Sequence, residues 1–227
     1  MKSKVIALFA LPLLLAACAP EVESSIYVQD IEQAATSGEA LSVPALLRIP
    51  QSSKEACEKG LQDLIKNLAT LAPTTGKGKC IEKSNSQSTD QLAEIETEMV
   101  IAHLTATFDP RNLLLLEVMP QNETTYDLTF RLLKPIDEIV KVLATNSDEL
   151  TAEFDPARFI FTLNNDSRGS IELLPNHVFV DEQPGLPELG AQTLERRKAV
   201  EIVFSDVASS HVEKANGYRF ATVTVLE

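Results

Sequence analysis

The chain has 227 residues, 44% of them hydrophobic, which is enough for one packed domain or two small ones and excludes a disordered composition. Lys and Arg number 20 against 33 Asp and Glu, so the net charge of −13 excludes the clustered cations that nucleic-acid binding needs. With no Trp and three Tyr, the chain is also poor in the aromatic platforms on which sugar rings stack.

Chain order begins with Lys2 and Lys4, followed by an apolar run over residues 5–17. The run has the length of a signal h-region and falls short of the roughly twenty residues a bilayer span needs. It ends in Leu15-Ala16-Ala17-Cys18. These four residues resemble the lipobox of bacterial lipoproteins. The resemblance implies that residues 1–17 are a cleaved signal peptide and that Cys18 is lipidated on its thiol and becomes the acylated first residue. Ala19, rather than Asp, then stands second in the mature chain, which by the same resemblance favours the outer membrane, at its periplasmic face. Several acyl chains hold stably where one binds reversibly. Removal of Lys2 and Lys4 leaves the body still more acidic and repelled by an anionic bilayer, so the lipid is the anchor.

Residues 19–25 (Ala-Pro-Glu-Val-Glu-Ser-Ser) read as a polar tether, with residues 18–26 forming the lipidated cysteine and its linker. A short helix is expected over 29–36, stopped by Ser37-Gly38. Residues 41–49 read as extended, with Pro44 inside and Pro50 closing the segment. The clearest helix covers 53–71. Ser52 and Glu55 have capping-box spacing, and Cys57, Leu61, Leu64, Ile65, Leu68 and Leu71 trace one helical stripe. Pro73 and the Thr74-Thr75-Gly76 turn end it. A strand over 78–83 carries Cys80. With Cys18 lipidated, Cys57 and Cys80 are left as an even pair in an oxidising compartment, which predicts a disulfide between them. It would close a loop of about two dozen residues, worth roughly 3 kcal/mol.

From Leu92 the pattern turns to strand. Glu94, Glu96 and Glu98 alternate with Ile95, Thr97 and Met99, and read as a charged, solvated strand face. Strands are expected over 113–119, 125–133, 158–163, 170–174, 177–181, 199–204 and 218–226. Helices are expected over 136–144, with Pro135 in the first turn, and over 207–214. Residues 183–193 read as an exposed loop. Residues 105–110 (Thr-Ala-Thr-Phe-Asp-Pro) recur as 151–156 (Thr-Ala-Glu-Phe-Asp-Pro), which suggests a duplicated strand-turn unit. Together these elements predict an α+β fold: a mainly antiparallel sheet with a long amphipathic helix and two or three short helices. It would form a single domain over 27–227, with a disulfide-linked part (27–103) and a strand-rich part (104–227).

Signatures of catalysis are absent: there is no H-E-x-x-H, no G-x-S-x-G and no Walker loop. Gly76-Lys77-Gly78-Lys79 lacks the spacing and the following helix of a phosphate loop and reads as a flexible turn. His103, His177 and His211 are far apart in sequence and read as structural. Residues 164–169 share part of a calcium loop's spacing, but Arg168 stands where an oxygen is wanted and Pro175 replaces the bidentate Glu, so a hairpin turn is expected. No catalytic residue, metal ligand or cofactor is assigned.

The leading reading is therefore a non-enzymatic interaction or accessory protein, concentrated near an envelope protein partner by its lipid. The lipobox, the helix at Asp30-Ile31, the strand end at Ile49-Pro50 and the helix start from Ser53 to Cys57 resemble uncharacterised lipoproteins of phages and prophages of Gram-negative hosts. That resemblance implies alteration of the host envelope, such as blocking a receptor. Two other classes remain open. A carrier of lipid or another apolar ligand needs an apolar cavity of several hundred Å³. A cell-wall hydrolase needs one of the three histidines in a cleft beside a Ser or a carboxylate.

Overall fold

A computed structural model describes residues 19–84, 89–143, 157–215 and 217–226. Residues 1–17, expected to be a signal peptide, Cys18, and the second copy of the repeated turn at 151–156 lie outside the described residues.

The chain begins with strand β1 (Glu21–Tyr27), helix α1 (Val28–Ser37), strand β2 (Leu41–Gln51) and helix α2 (Lys54–Leu71). Strands β3 (Thr74–Ser84), β4 (Thr89–His103), β5 (Leu114–Pro120) and β6 (Thr125–Leu132) lead to helix α3 (Ile136–Leu143). Then come β7 (Arg158–Asn164), β8 (Ile171–Pro175), β9 (Val178–Val180), β10 (Gln183–Gly185), β11 (Gln192–Leu194) and β12 (Ala199–Phe204). Helix α4 (Asp206–Ala215) and β13 (Tyr218–Val225) close the chain.

All thirteen strands join one sheet, ordered β10-β9-β12-β7-β1-β2-β4-β5-β6-β13-β8-β11, with β3 paired to β4. The β1–β7 and β4–β5 pairs are parallel and the other pairs antiparallel. The expected α+β class, built around a long amphipathic helix, is overturned. Strands make up about half of the described residues and helices about a quarter, and the sheet curls into a half-barrel that the helices cover. The apolar stripe of α2 is buried at Cys57, Leu64, Ile65, Leu68 and Leu71, but it caps one region of the sheet and does not form a second layer. Backbone pairing also recruits residues whose own pattern is too weak to mark them as strand.

Five phenylalanines hold the curl. Strands β7 and β6 stand five places apart in the strand order, yet their rings touch. The ring centroids of Phe130 and Phe159 are 4.9 Å apart, those of Phe130 and Phe161 5.0 Å, and those of Phe161 and Phe220 5.5 Å. Phe204 of β12 joins the same group. Each such pair adds about 0.5–1.5 kcal/mol beyond area burial. The core around them is tightly filled: an apolar cavity lined by Val22, Leu68 and Phe159 measures about 30 Å³.

Three local expectations are corrected. Residues 19–25 are not a tether. Strand β1 lies inside the sheet between β7 and β2, and Val22, Ser24 and Ile26 are buried. Pro20 is buried too, and its carbonyl accepts the Arg158 N–H at 2.7 Å, so the packed body starts before residue 27. The charged positions Glu21 and Glu23 disguised the alternation, because their carboxylates find cations. Residues 183–193 are not simply a loop: they hold β10, a 3₁₀ turn (Pro187–Leu189) and most of β11. Three-residue edge strands carry too few residues to show a period.

The turn after β7 is not a hairpin, because β7 pairs with β1 and β12 while β8 pairs with β13 and β11. It crosses between the two halves of the folded sheet. Asn165, 1% exposed, ties it down by donating from Nδ2 to the carbonyls of Gly169 and Leu194. In the first copy of the repeated turn, Phe108 packs on a second small cluster formed by Val100, Ala102 and Leu115.

Candidate functional site

The outer face of the sheet carries a row of alternating charge. Strand register places Arg158 beside Glu21, Glu21 beside Arg48, Arg48 beside Glu94, and Glu94 beside Lys79. The contacts follow the register: Arg158 Nη1 is 3.6 Å from Glu21, Arg48 Nη1 is 3.4 Å from Glu21, Arg48 Nε is 2.9 Å from Glu94, and Lys79 Nζ is 3.0 Å from Glu94. Arg48 also donates to Glu23, and Lys83 Nζ reaches Glu21 at 2.7 Å. Burial pushes the Glu94 carboxyl up, but hydrogen bonds from Arg48 and Lys79 outweigh it and hold the group below its usual range. Burial lowers Arg48, and its bonds to Glu94 and Glu23 raise it further, so the guanidinium stays charged. Gly78 makes the approach of β3 possible, because a Cβ there would stand 2.9 Å from the Glu94 carbonyl oxygen and 3.2 Å from Leu61 and Ile65.

This row corrects the reading of the Glu94, Glu96 and Glu98 series as a solvated face. Glu94 is 8% exposed. The cations that cover it come from β2 and β3, and pairing rather than sequence distance brings them there. The Gly76–Lys79 segment is likewise not a free turn: it lies inside β3, at a shift in register between Thr74 and Gly78.

Farther along β4, Glu96 accepts from Thr75 Oγ1 at 2.9 Å and Glu98 from Ser42 Oγ at 3.0 Å. With Glu23 and Asp30 they line an open cleft of about 740 Å³ on the outer face of β1, β2 and β4. Tyr27, 43% exposed, stands at its side, and Pro44 and Leu46 add apolar surface. No Lys, Arg or His lines it. Burial, and then the charge of Asp166, raise the Asp30 carboxyl above its usual range, against a lowering backbone hydrogen bond from Tyr27. The arrangement suits a ligand that brings positive charge.

Cys57, in the first turn of α2, and Cys80, in β3, form a disulfide with their Cα atoms 6.0 Å apart. The histidines each have a separate partner. His103 bonds Thr105 at 2.8 Å, His177 bonds Asn176 at 2.8 Å, and His211 packs on the Tyr218 ring at 5.5 Å. None of the three lines the acidic cleft. Among the described residues, no group of three or more His, Cys, Asp or Glu is placed to hold a metal. Asp166, in the segment that resembled a calcium loop, instead accepts the Gln29 N–H at 3.0 Å.

The sequence reading missed Glu23, Tyr27 and Asp30 as cleft residues. The alternation of Glu21 and Glu23 about Val22 was the available signal for β1, but nothing local marks the partners it acquires.

No helix among the described residues is long and apolar enough to cross a membrane. No curated protein and no solved structure matches the chain. Residues 20–226 match a domain of unknown function, DUF7424, beginning at the same Pro20 whose carbonyl starts the packed body, and the chain belongs to that family.

Proposed function

We propose that the chain is a non-enzymatic interaction module of the cell envelope, anchored through acyl groups on Cys18, and that its acidic cleft takes a basic segment of an envelope protein. The observation that carries this reading is the 740 Å³ cleft with four carboxylates and no cation among its lining residues. Such a cleft favours Lys- or Arg-bearing partners and speeds their encounter. Tyr27 offers an aromatic face to an incoming cation. Anchoring at the periplasmic face of the outer membrane supplies the local concentration that makes a modest affinity sufficient. The likeness to phage-borne lipoproteins makes a receptor of the host envelope the kind of partner to seek. The carrier reading draws less support, since the apolar core cavity lined by Val22, Leu68 and Phe159 measures only about 30 Å³ and both larger clefts carry several carboxylates.

The test places a photo-crosslinking residue at Leu46 in native envelopes. The expected result is a crosslinked protein with a basic segment, lost when Glu96→Lys and Glu98→Lys are introduced together. Crosslinking unchanged by the charge reversal overturns the cleft assignment. Co-purified lipid without a protein partner replaces this reading with the carrier. Cys18→Ser is expected to prevent maturation and release the chain from membranes.

A further inference from the structure

The acidic cleft involves β1 from Glu23 to Tyr27, and a second cleft lies at the other end of that strand. It measures about 840 Å³ and is lined by Ala19, Arg158, Phe179, Val207 and three carboxylates. Two of its apolar side chains face water: Val207 is 77% exposed and Phe179 40%. Ala19 follows Cys18 directly in the chain. No free linker intervenes, because the next residue, Pro20, is buried and bonded to Arg158.

We infer that this end of the sheet, with Phe179 and Val207 beside Ala19, is the face that lies against the bilayer, and that its occupant is a zwitterionic phospholipid surface. The inference rests on lipidation of Cys18. An anchor fused this closely to the body fixes its orientation, where a loose tether would leave it free to tumble. Val207 and Phe179 enter the interfacial layer as apolar contacts. The exposed carboxylates of Glu182, Glu201 and Asp206 meet headgroup ammonium groups, and Arg158 meets phosphate. The same carboxylates disfavour an anionic leaflet. Strand β1 then rises away from the membrane, placing Tyr27 and the acidic cleft about 20 Å farther out, at 3.3 Å per residue.

The chain contains no Trp, so one introduced indole reports one position. Val207→Trp and Tyr27→Trp, both at exposed sites, are prepared as full-length lipidated proteins and reconstituted in phosphatidylcholine vesicles with brominated acyl chains. The expected result is that both proteins float with the vesicles and that Val207→Trp is quenched several-fold more strongly than Tyr27→Trp. Equal quenching of the two, or stronger quenching at Tyr27, in floating protein overturns the orientation and leaves the anchor intact. Failure to float overturns the anchor and the orientation with it.

Discussion

Asp166 accepts the backbone N–H of Gln29 across 137 residues of sequence and caps a helix it does not belong to. The residue at the N-cap of α1, Tyr27, makes no side-chain cap bond. The carboxylate therefore arrives from the turn after β7, and Gln29 Nε2 returns a bond to the Asp166 carbonyl at 2.7 Å. Negative charge at a helix N-terminus is favourable both as a hydrogen-bond acceptor and against the helix dipole.

Asp166→Ala is expected to destabilise the protein by about 0.5–2 kcal/mol, the range for loss of an N-cap, with Asp166→Asn losing less. Urea midpoints measure it. The same change acts on Asp30 and Glu32, whose carboxyls are raised first by burial and then by the charge of Asp166. A carboxyl raised on folding binds more protons in the native state, so stability falls as pH rises from its unfolded to its folded value. NMR titration of Asp166→Ala should show both groups returning part of the way toward ordinary values.

Arg48→Ala leaves Glu21, Glu23 and Glu94 without their shared cation. A loss of about 2–4 kcal/mol is expected, below the full cost of breaking a deeply buried pair because Glu23 is partly exposed. Replacing Arg48 and Glu94 together with Met and Leu should recover most of it, since the apolar pair leaves less charge stranded; chemical denaturation of the single and double variants decides.

The charge row also sets an acid limit. Glu94 is held below the ordinary glutamate value of 4.5, so its contribution is complete above that pH and is lost as pH falls through the lower folded value. In Arg48→Ala the loss of stability on acidification below 4.5 should be shallower, as measured by denaturant midpoints at stepped pH.

Two glycines predict opposite signs. Gly78→Ala meets the Glu94 carbonyl oxygen at 2.9 Å and should cost about 1–3 kcal/mol, while also loosening Lys79 from Glu94. Gly60→Ala, inside α2 with no neighbour within 4 Å, should stabilise by about 0.5–1 kcal/mol. Thermal melts of the pair form an internal control.

Reducing the Cys57–Cys80 bond reopens a 23-residue separation and should cost about 3 kcal/mol on the chain-entropy account, seen as a lower Tm in reductant.

What the sequence alone determines is the content of the stronger local patterns. The α2 stripe, its stop before Pro73, the longer strands from β4 onward (not the three-residue β10 and β11) and the Cys57–Cys80 pairing follow from spacing of a few residues or from parity. The tertiary structure decides which strands become neighbours. It turns Glu21 and Glu23 from tether into a central strand, sets Arg48 between Glu21 and Glu94, and folds β7 over β6 through Phe130, Phe159 and Phe161. The reason is physical: periodicity reports how one segment meets an apolar surface, whereas register and curl arise from hydrogen bonds and ring contacts between segments tens to more than a hundred residues apart, on which no local pattern bears.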